Sequence, residues 1–389
     1  MKKNGFSLRA VIISSAAALL AGVMAALLIV PNALSGYLGR DSAASKLMAL
    51  EYLVEHNYSG ECDSDAMEDA MGKAYIAAIG DQYSAYLTDE ENSAWHDSYN
   101  GSEKGIGITV AKHPDKGGLL VVDVSVGSPA DSAGITHGDC ITAVDGIAFD
   151  GENYNQLVNA IRGETDSVCA LEIDRDGSVS TVQVKRGEYV QTAVFYRMIG
   201  KVGYIRITAF STAAVSMFRD AVDSVIASGA TGLVFDVREN GGGSVDAAVE
   251  MLDYLLPSGT LLNVTYKSGR VRQYTSDKQS VDLPLAVLIN GNTASSAEIF
   301  AAAVHDYGGT TVGEQSFGKG IMQTTYDLAD GSAVRLTVAR LTSPKGTEWH
   351  GDGLTPDVAL TLTEEQLSHF YLLGDSDPQI KAAVAAVSK

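Results

Sequence analysis

The apolar positions change period along the chain, and each change marks a segment. Residues 10–30 form an uncharged run of 21 residues preceded by Lys2, Lys3 and Arg9. At ~1.5 Å per residue such a run matches a bilayer core of roughly 30 Å. Basic residues before it and acidic sequence after it predict a single-pass anchor with a cytoplasmic N-terminus and the bulk of the chain outside. A cleaved signal peptide is the alternative; the run is long for one, and no clear A-x-A site closes it. A linker leads to residue 39. Residues 43–58 then place Leu47, Leu50, Leu53 and Val54 at helical spacing, and a second helix from Ser64 carries Met67, Met71, Tyr75, Ile76 and Ile79. These side chains read as packing, and residues 40–98 as a small helical segment.

From about residue 101 the period becomes that of strands. Residues 105–110 and 119–126 read as strands, followed by turns at Gly127-Ser-Pro-Ala130 and Ala133-Gly-Ile-Thr-His-Gly-Asp139. A helix over 154–161 and strands over 167–173 and 179–184 complete the module. This order resembles a bacterial PDZ domain, set here at residues 99–188. In such a domain Gly105, Ile106, Gly107 and Ile108 stand where the carboxylate-binding loop lies, and a peptide would add a strand to the sheet edge.

The third region alternates. Strands are expected at 202–207, 232–237 and 284–289, and helices at 212–228, 244–256 and 295–307. Strand, turn and helix in succession predict α/β architecture with a largely parallel sheet, whose ligand sites lie at the carboxyl ends of strands. Gly241–Gly243 and Ser295 both fall there. Strands over 321–328 and 333–341 follow, and the polar end of the chain is expected to be helical.

Composition narrows the function. Among 389 residues the net charge is −20, which argues against nucleic-acid binding. Cys62, Cys140 and Cys169 form neither a disulfide framework nor a metal-ligand spacing, so no metal is called for. Gly313-x-x-x-x-Gly318-Lys319-Gly320 nearly matches a phosphate-binding loop. It lacks the hydroxyl residue after Lys319 and the helix that should follow, so no nucleotide or other cofactor is expected.

Ser295 at a strand-to-helix turn and Lys319 between two glycines are each weak signals alone, since Ser is a common helix cap and Lys a common turn residue. Together they suggest a nucleophile activated by an amine, with Ser296 as the alternative hydroxyl. The segments Asp236-Val-Arg-Glu-Asn-Gly-Gly-Gly243, Asn292-Thr-Ala-Ser-Ser-Ala-Glu-Ile299 and Gly313-Glu-Gln-Ser-Phe-Gly-Lys-Gly-Ile-Met-Gln323 resemble the carboxyl-terminal processing (tail-specific) serine proteases. Ile79-Gly-Asp-Gln-Tyr-Ser-Ala-Tyr-Leu87 and Gly353-Leu-Thr-Pro-Asp-Val358 resemble that family's flanking signatures. The resemblance spans about residues 43–362.

That resemblance implies a multidomain α/β protein: an anchor (1–39), the helical segment (40–98), a PDZ domain (99–188), a protease core of the crotonase/ClpP-like spiral type (189–365) and a C-terminal helical tail (366–389). It implies Ser295 as nucleophile, Lys319 as general base and Gln323 as the residue orienting the lysine, with Gly242 and the Ser296 backbone N–H at the oxyanion hole. Gln323, four residues beyond Lys319, would share its side of an extended strand. Two departures from the family pattern stand out: Ser-Ser-Ala-Glu replaces Ser-Ala-Ser-Glu, and the Ser295–Lys319 connection is one residue shorter. Partners implied are polypeptides with free apolar C-termini and the membrane through residues 10–30; a homo-oligomer is compatible with this reading. The rivals are an inactive PDZ scaffold and a non-proteolytic acyl hydrolase. His305 and His350 are the next candidates for the base.

Overall fold

The computed structural model describes residues 43–277 and 280–388. The expected anchor, residues 10–30, lies outside them. Among the described residues no helix is long and apolar enough to cross a membrane. The described residues divide into two units, one ending at residue 71 and the other beginning at residue 72. In the first, helix α1 (Ala43–Asn57) buries none of its residues. Helix α2 (Ser64–Ala77) begins in that unit and buries only Ile76. Met67, Met71, Tyr75 and Ile79, expected to pack, are exposed. Helical spacing marks an apolar face but not what covers it.

In the second unit, β1 (Ala85–Leu87) precedes helix α3 (Asp89–Asn100). Thr88 and Glu91 close a reciprocal capping box at its start, and Gly101 in the left-handed region ends it. The PDZ-like module follows: β2 (Ser102–Gly105), β3 (Ile108–Lys112), β4 (Leu119–Val124), α4 (Pro129–Ser132), β5 (Cys140–Val144), β6 (Ile147–Ala148), α5 (Tyr154–Arg162), β7 (Val168–Arg175), β8 (Ser178–Lys185) and β9 (Gly187–Val190). Its sheet runs β3-β4-β5-β7-β8, and β2 pairs with β9 where the chain enters and leaves. Leu119, Val121, Ile141, Leu157 and Leu171 alternate into one core. Cys140 and Cys169 are buried as free thiols.

The core begins with β10 (Val194–Ile199), β11 (Val202–Ile207), α6 (Thr212–Ala227), β12 (Gly232–Asp236), α7 (Val245–Leu255), β13 (Gly259–Tyr266), β14 (Val271–Ser276) and β15 (Leu285–Ile289). It continues with α8 (Ser296–Asp306), β16 (Thr310–Gly313), β17 (Ile321–Asp327), β18 (Ala333–Thr342), β19 (Val358–Ala359), α9 (Glu364–Ser368) and α10 (Pro378–Val387). One sheet runs β10-β11-β12-β15-β16-β19 and is parallel from β11 onward. Crossover helices cover its faces, so β12 is buried at every residue. Phe210, Phe218, Phe235 and Phe300 meet at ring separations of 5.3–6.0 Å. Each such buried ring contributes about 2–3 kcal/mol. Helix α8 is buried from Ser296 to Val304, and its small residues let it sit between α7 and the sheet.

A second sheet, β1-β18-β13-β14 with β17 also on β18, forms the opposite wall. The polar C-terminal segment docks rather than trails. Ile380, Ala383 and Val387 of α10 are buried against β12, β15 and β16. Arg238, buried at the end of β12, binds Asp236 at 2.6 Å and Asp377, which caps α10, at 2.8 Å. Burial opposes ionisation of Asp236, but Arg238 prevails and holds its carboxyl below the usual range.

Candidate active site

Three loops at the carboxyl ends of adjacent parallel strands build the site. Strand β12 runs into residues 237–244, β15 into 290–295 and β16 into 314–320. The loops bind one another: Ala294 N–H donates to the Asn240 carbonyl at 3.0 Å, and Phe317 N–H to the Thr293 carbonyl at 2.9 Å. The Thr293 hydroxyl donates to the Val237 carbonyl at 2.9 Å. Asn240 is buried and anchors its turn to β11, donating to the Ile207 carbonyl at 2.8 Å.

Ser295 occupies φ 56°, ψ −117° between β15 and α8. A side chain is held there at a cost of about 1–3 kcal/mol, as at the sharp strand-to-helix turns that present nucleophilic hydroxyls. The Gly-rich turn closes on it. Gly242 has φ 104°, and a Cβ there would lie 2.9 Å from the Ser295 Cβ and 3.0 Å from the Ser296 nitrogen. Only glycine permits that approach. The Ser296 hydroxyl donates to the Gly243 carbonyl at 2.8 Å, so the additional hydroxyl ties helix α8 to the glycine turn. Gly242 N–H, expected to face an oxyanion, donates instead to Asn240 Oδ1 at 2.8 Å. The side chain of Asn240 closes a local turn two residues on and takes that donor.

Glu298, fully buried, joins the Ser295 turn to the lysine loop. Its Oε2 accepts Ser295 N–H at 2.9 Å and Lys319 N–H at 2.7 Å. Its Oε1 accepts Gly318 N–H at 2.7 Å and the Ser316 hydroxyl at 2.6 Å. Beneath that loop, Gly320 lies so close to His350 that a Cβ would meet its backbone nitrogen at 2.9 Å. Gly351 N–H donates to the Gly318 carbonyl at 2.9 Å.

Lys319 is half-buried, and its Nζ stands 5.0 Å from the centre of the Tyr83 ring. Burial lowers its pKa below the ordinary lysine value and the Arg335 charge lowers it further; Glu298 and Asp81 act the other way. Ser295, Lys319 and Gln323 line one cavity of about 650 Å³ together with Gly241–Gly243. Among the described residues no hydrogen bond links the three side chains. The Gln323 amide donates to Thr337 Oγ1 at 3.5 Å instead of holding the lysine. Lys319 precedes β17 rather than lying in it, and a bulge interrupts the pairing between Met322 and Gln323. Simple strand alternation therefore does not relate the two. His305 lies at the far end of α8, 3.2 Å from Asp357, and His350 lines the neighbouring cavity with Asp81 and Tyr83.

Gly105, Ile106, Gly107 and Ile108 line a second cavity, of about 660 Å³, between β3 and α5. Strand β3 is the edge of its sheet. The Ile106 and Gly107 carbonyls are bound by Ala130 N–H at 2.8 Å and Ser125 N–H at 2.9 Å, which fixes the loop.

The description "Peptidase family S41" matches residues 201–360, and "PDZ domain" matches residues 120–175. The chain is 33% identical over 354 residues to the carboxy-terminal processing protease CtpA of Bacillus subtilis (strain 168), spanning 88% of this chain and 76% of that protein. The chain belongs to the carboxy-terminal processing proteases of peptidase family S41. It is also 30% identical over 359 residues to a "Probable CtpA-like serine protease" of Staphylococcus aureus (strain COL), spanning 89% and 72%. A solved photosystem II D1 C-terminal processing protease matches at TM-score 0.50 and 28% identity, over 83% of this chain and 88% of that one. The protein is thus a serine-type peptidase with a PDZ domain.

Several residues of this S41 site were not singled out from sequence. Glu298 stands three residues after Ser295, the spacing of a capping box, and that signal could have found it. Asn240 lies inside the Asp236–Gly243 segment, whose pattern gives it no role of its own. Tyr83 and Arg335 reach Lys319 from segments distant in the chain, and no local pattern announces them.

Proposed function

We infer that this S41 peptidase cleaves polypeptides through Ser295 and Lys319. The observation that carries the reading is the shared cavity of Ser295, Lys319, Gln323 and the glycine turn, with Lys319 biased toward its neutral form. Neutral Lys319 takes the Ser295 proton as Oγ attacks the scissile carbonyl carbon. The carbonyl electron pair moves to oxygen, where Ser296 N–H and a Gly242 N–H released from Asn240 receive it; each such donor is worth about 3–4 kcal/mol. Collapse of that intermediate breaks the C–N bond. Lys319 gives its proton to the leaving amine, and water then hydrolyses the acyl-enzyme. Gln323 orients the lysine once its amide turns from Thr337. The PDZ groove receives the substrate's apolar C-terminus, and residues 10–30 anchor the chain with the protease outside the cytoplasm.

Digestion of an unstructured protein by wild type and by Ser295→Ala tests the chemistry. Wild type is expected to cleave and to be labelled by a serine-reactive phosphonate, and Ser295→Ala to do neither. Cleavage by Ser295→Ala at the wild-type rate would refute the assignment. Retention of the full chain on membranes through a carbonate wash tests the anchor; release there would refute it.

A further inference from the structure

We propose that Arg335 holds Lys319 ready as a base, its fixed positive charge offsetting the carboxylates of Glu298 and Asp81. The proposal rests on the reading of Lys319 as general base. Strand β18 carries Arg335 opposite Thr325 and Thr337 opposite Gln323. Residues two apart on a strand share a face, so Arg335 and Thr337 stand together on the face where Gln323 bonds to Thr337. Arg335 and Lys319 line the same cavity. Arg335 Nε is buried with no hydrogen-bond partner, and no ion pair among the described residues engages this side chain. Arg335 as a whole is half-buried, and arginines drawn out of water are ordinarily paired with a carboxylate. An unpaired one keeps its field, and a partly desolvated site screens that field less than water does.

The groups facing Lys319 explain why such a charge matters. Helix α8 supplies Glu298, and the loop before β1 supplies Asp81 and the Tyr83 ring. Farther along the cleft stand Asp246 on α7, Arg272 on β14 and Asp327 on β17, with His96 on α3. His350, near the lysine loop, adds a titratable ring in the adjoining cavity. Both nearby carboxylates favour the ammonium form. Neither forms an ion pair with Nζ: Glu298 is bound by four other donors, and Asp81 by the Ser84 hydroxyl at 2.6 Å and Tyr83 N–H at 3.1 Å. Arg335 opposes them, in the same direction as burial, and a guanidinium does so at every working pH. It acts through Lys319.

The test is the pH dependence of kcat/KM on an unstructured substrate for the wild-type protein, Arg335→Gln, Arg335→Met and Arg335→Lys. Removing the charge leaves Glu298 and Asp81 to hold the ammonium. The acid limb should then move to higher pH in Arg335→Gln and Arg335→Met, with several-fold loss on the acid side and the alkaline plateau retained. Arg335→Lys should keep the wild-type limb. A limb unmoved in both neutral variants, or the same loss at every pH, would overturn the proposal. An Arg335→Lys limb displaced like that of the neutral variants would also overturn it. Lys319→Ala serves as the control: wild-type turnover in that variant would overturn the dyad itself, whereas inactivity together with an unmoved Arg335→Gln limb overturns only the role of Arg335.

Discussion

Ser295 is held in a backbone conformation that glycine adopts more readily. Its strain comes from the meeting of strand end, helix start and glycine turn, and it is the cost of presenting the hydroxyl. Ser295→Gly should therefore be more stable than Ser295→Ala by about 1 kcal/mol, strain relief of about 1–3 kcal/mol being partly offset by glycine's larger unfolded-state entropy. Chemical denaturation of the two inactive variants measures this, and equal midpoints would deny the strain. Lys319 carries a different burden. Its folded pKa lies below that of an ordinary lysine, so the unfolded state binds the proton more readily. Stability attributable to this group therefore rises with pH between the folded and unfolded pKa values. With Lys319 as the proposed base, activity should follow the same titration, falling as pH drops through the folded pKa, because the ammonium cannot accept the Ser295 proton. Lys319→Met should abolish turnover and raise the melting temperature at neutral pH. A variant that is inactive but less stable would contradict the desolvation argument.

At the scale of elements, Glu298 links the start of α8 to the loop after β16. Its side chain receives four donors from residues that the chain separates by up to 21 positions. Glu298→Ala would strand buried N–H groups, each costing about 1–3 kcal/mol, and release the Ser295 and Lys319 loops. The expected result is a loss of at least about 3 kcal/mol in stability together with loss of turnover. Glu298→Gln should be impaired as well, since its amide presents donors to donors. A folded, active Glu298→Ala protein would show that the loops hold their places without the carboxylate. Strand β1 contributes in the same way: its pairing with β18 brings Tyr83 to Lys319.

At the scale of the molecule, helix α3 is a wall common to the PDZ groove and the cavity of Ser295 and Lys319. Glu90, Ser93, Ala94 and Asp97 line the groove, while Trp95, His96 and Tyr99 line the cavity. The 3.6-residue repeat places these sets on different faces. Tyr99 accepts a hydrogen bond from Ser244, the cap of α7, at 2.8 Å. Across the other side of the module, Arg206 of the core pairs with Asp123 of β4. Occupancy of the groove is therefore the natural first measurement. Peptides ending in a free apolar residue should bind the Ser295→Ala protein, and amidation of that end should weaken binding, since backbone N–H groups lose their anion. Equal affinities in calorimetry would exclude carboxylate recognition by Gly105–Ile108.

What the sequence determined by itself was local or carried by whole motifs. Strand β11 and helices α5 and α6 follow from apolar period, and the S41 motifs located Ser295, Lys319 and Gln323 by resemblance. The carboxyl-end placement of Ser295 follows from strand, turn and helix order. Helix α3 fell within the helical segment 40–98 without bounds of its own, because it is a polar helix, and the hairpin of β13 and β14 escaped, because its strands lack a strong alternation. Only the tertiary structure decided which donors and charges surround the pair. Gly242 N–H goes to Asn240, Gln323 to Thr337, and Lys319 shares its cavity with Arg335 of β18. The hydrogen-bond partners come from register, bulges and loop closure across long chain separations, and hydrophobic patterning selects a face but not the neighbour opposite it.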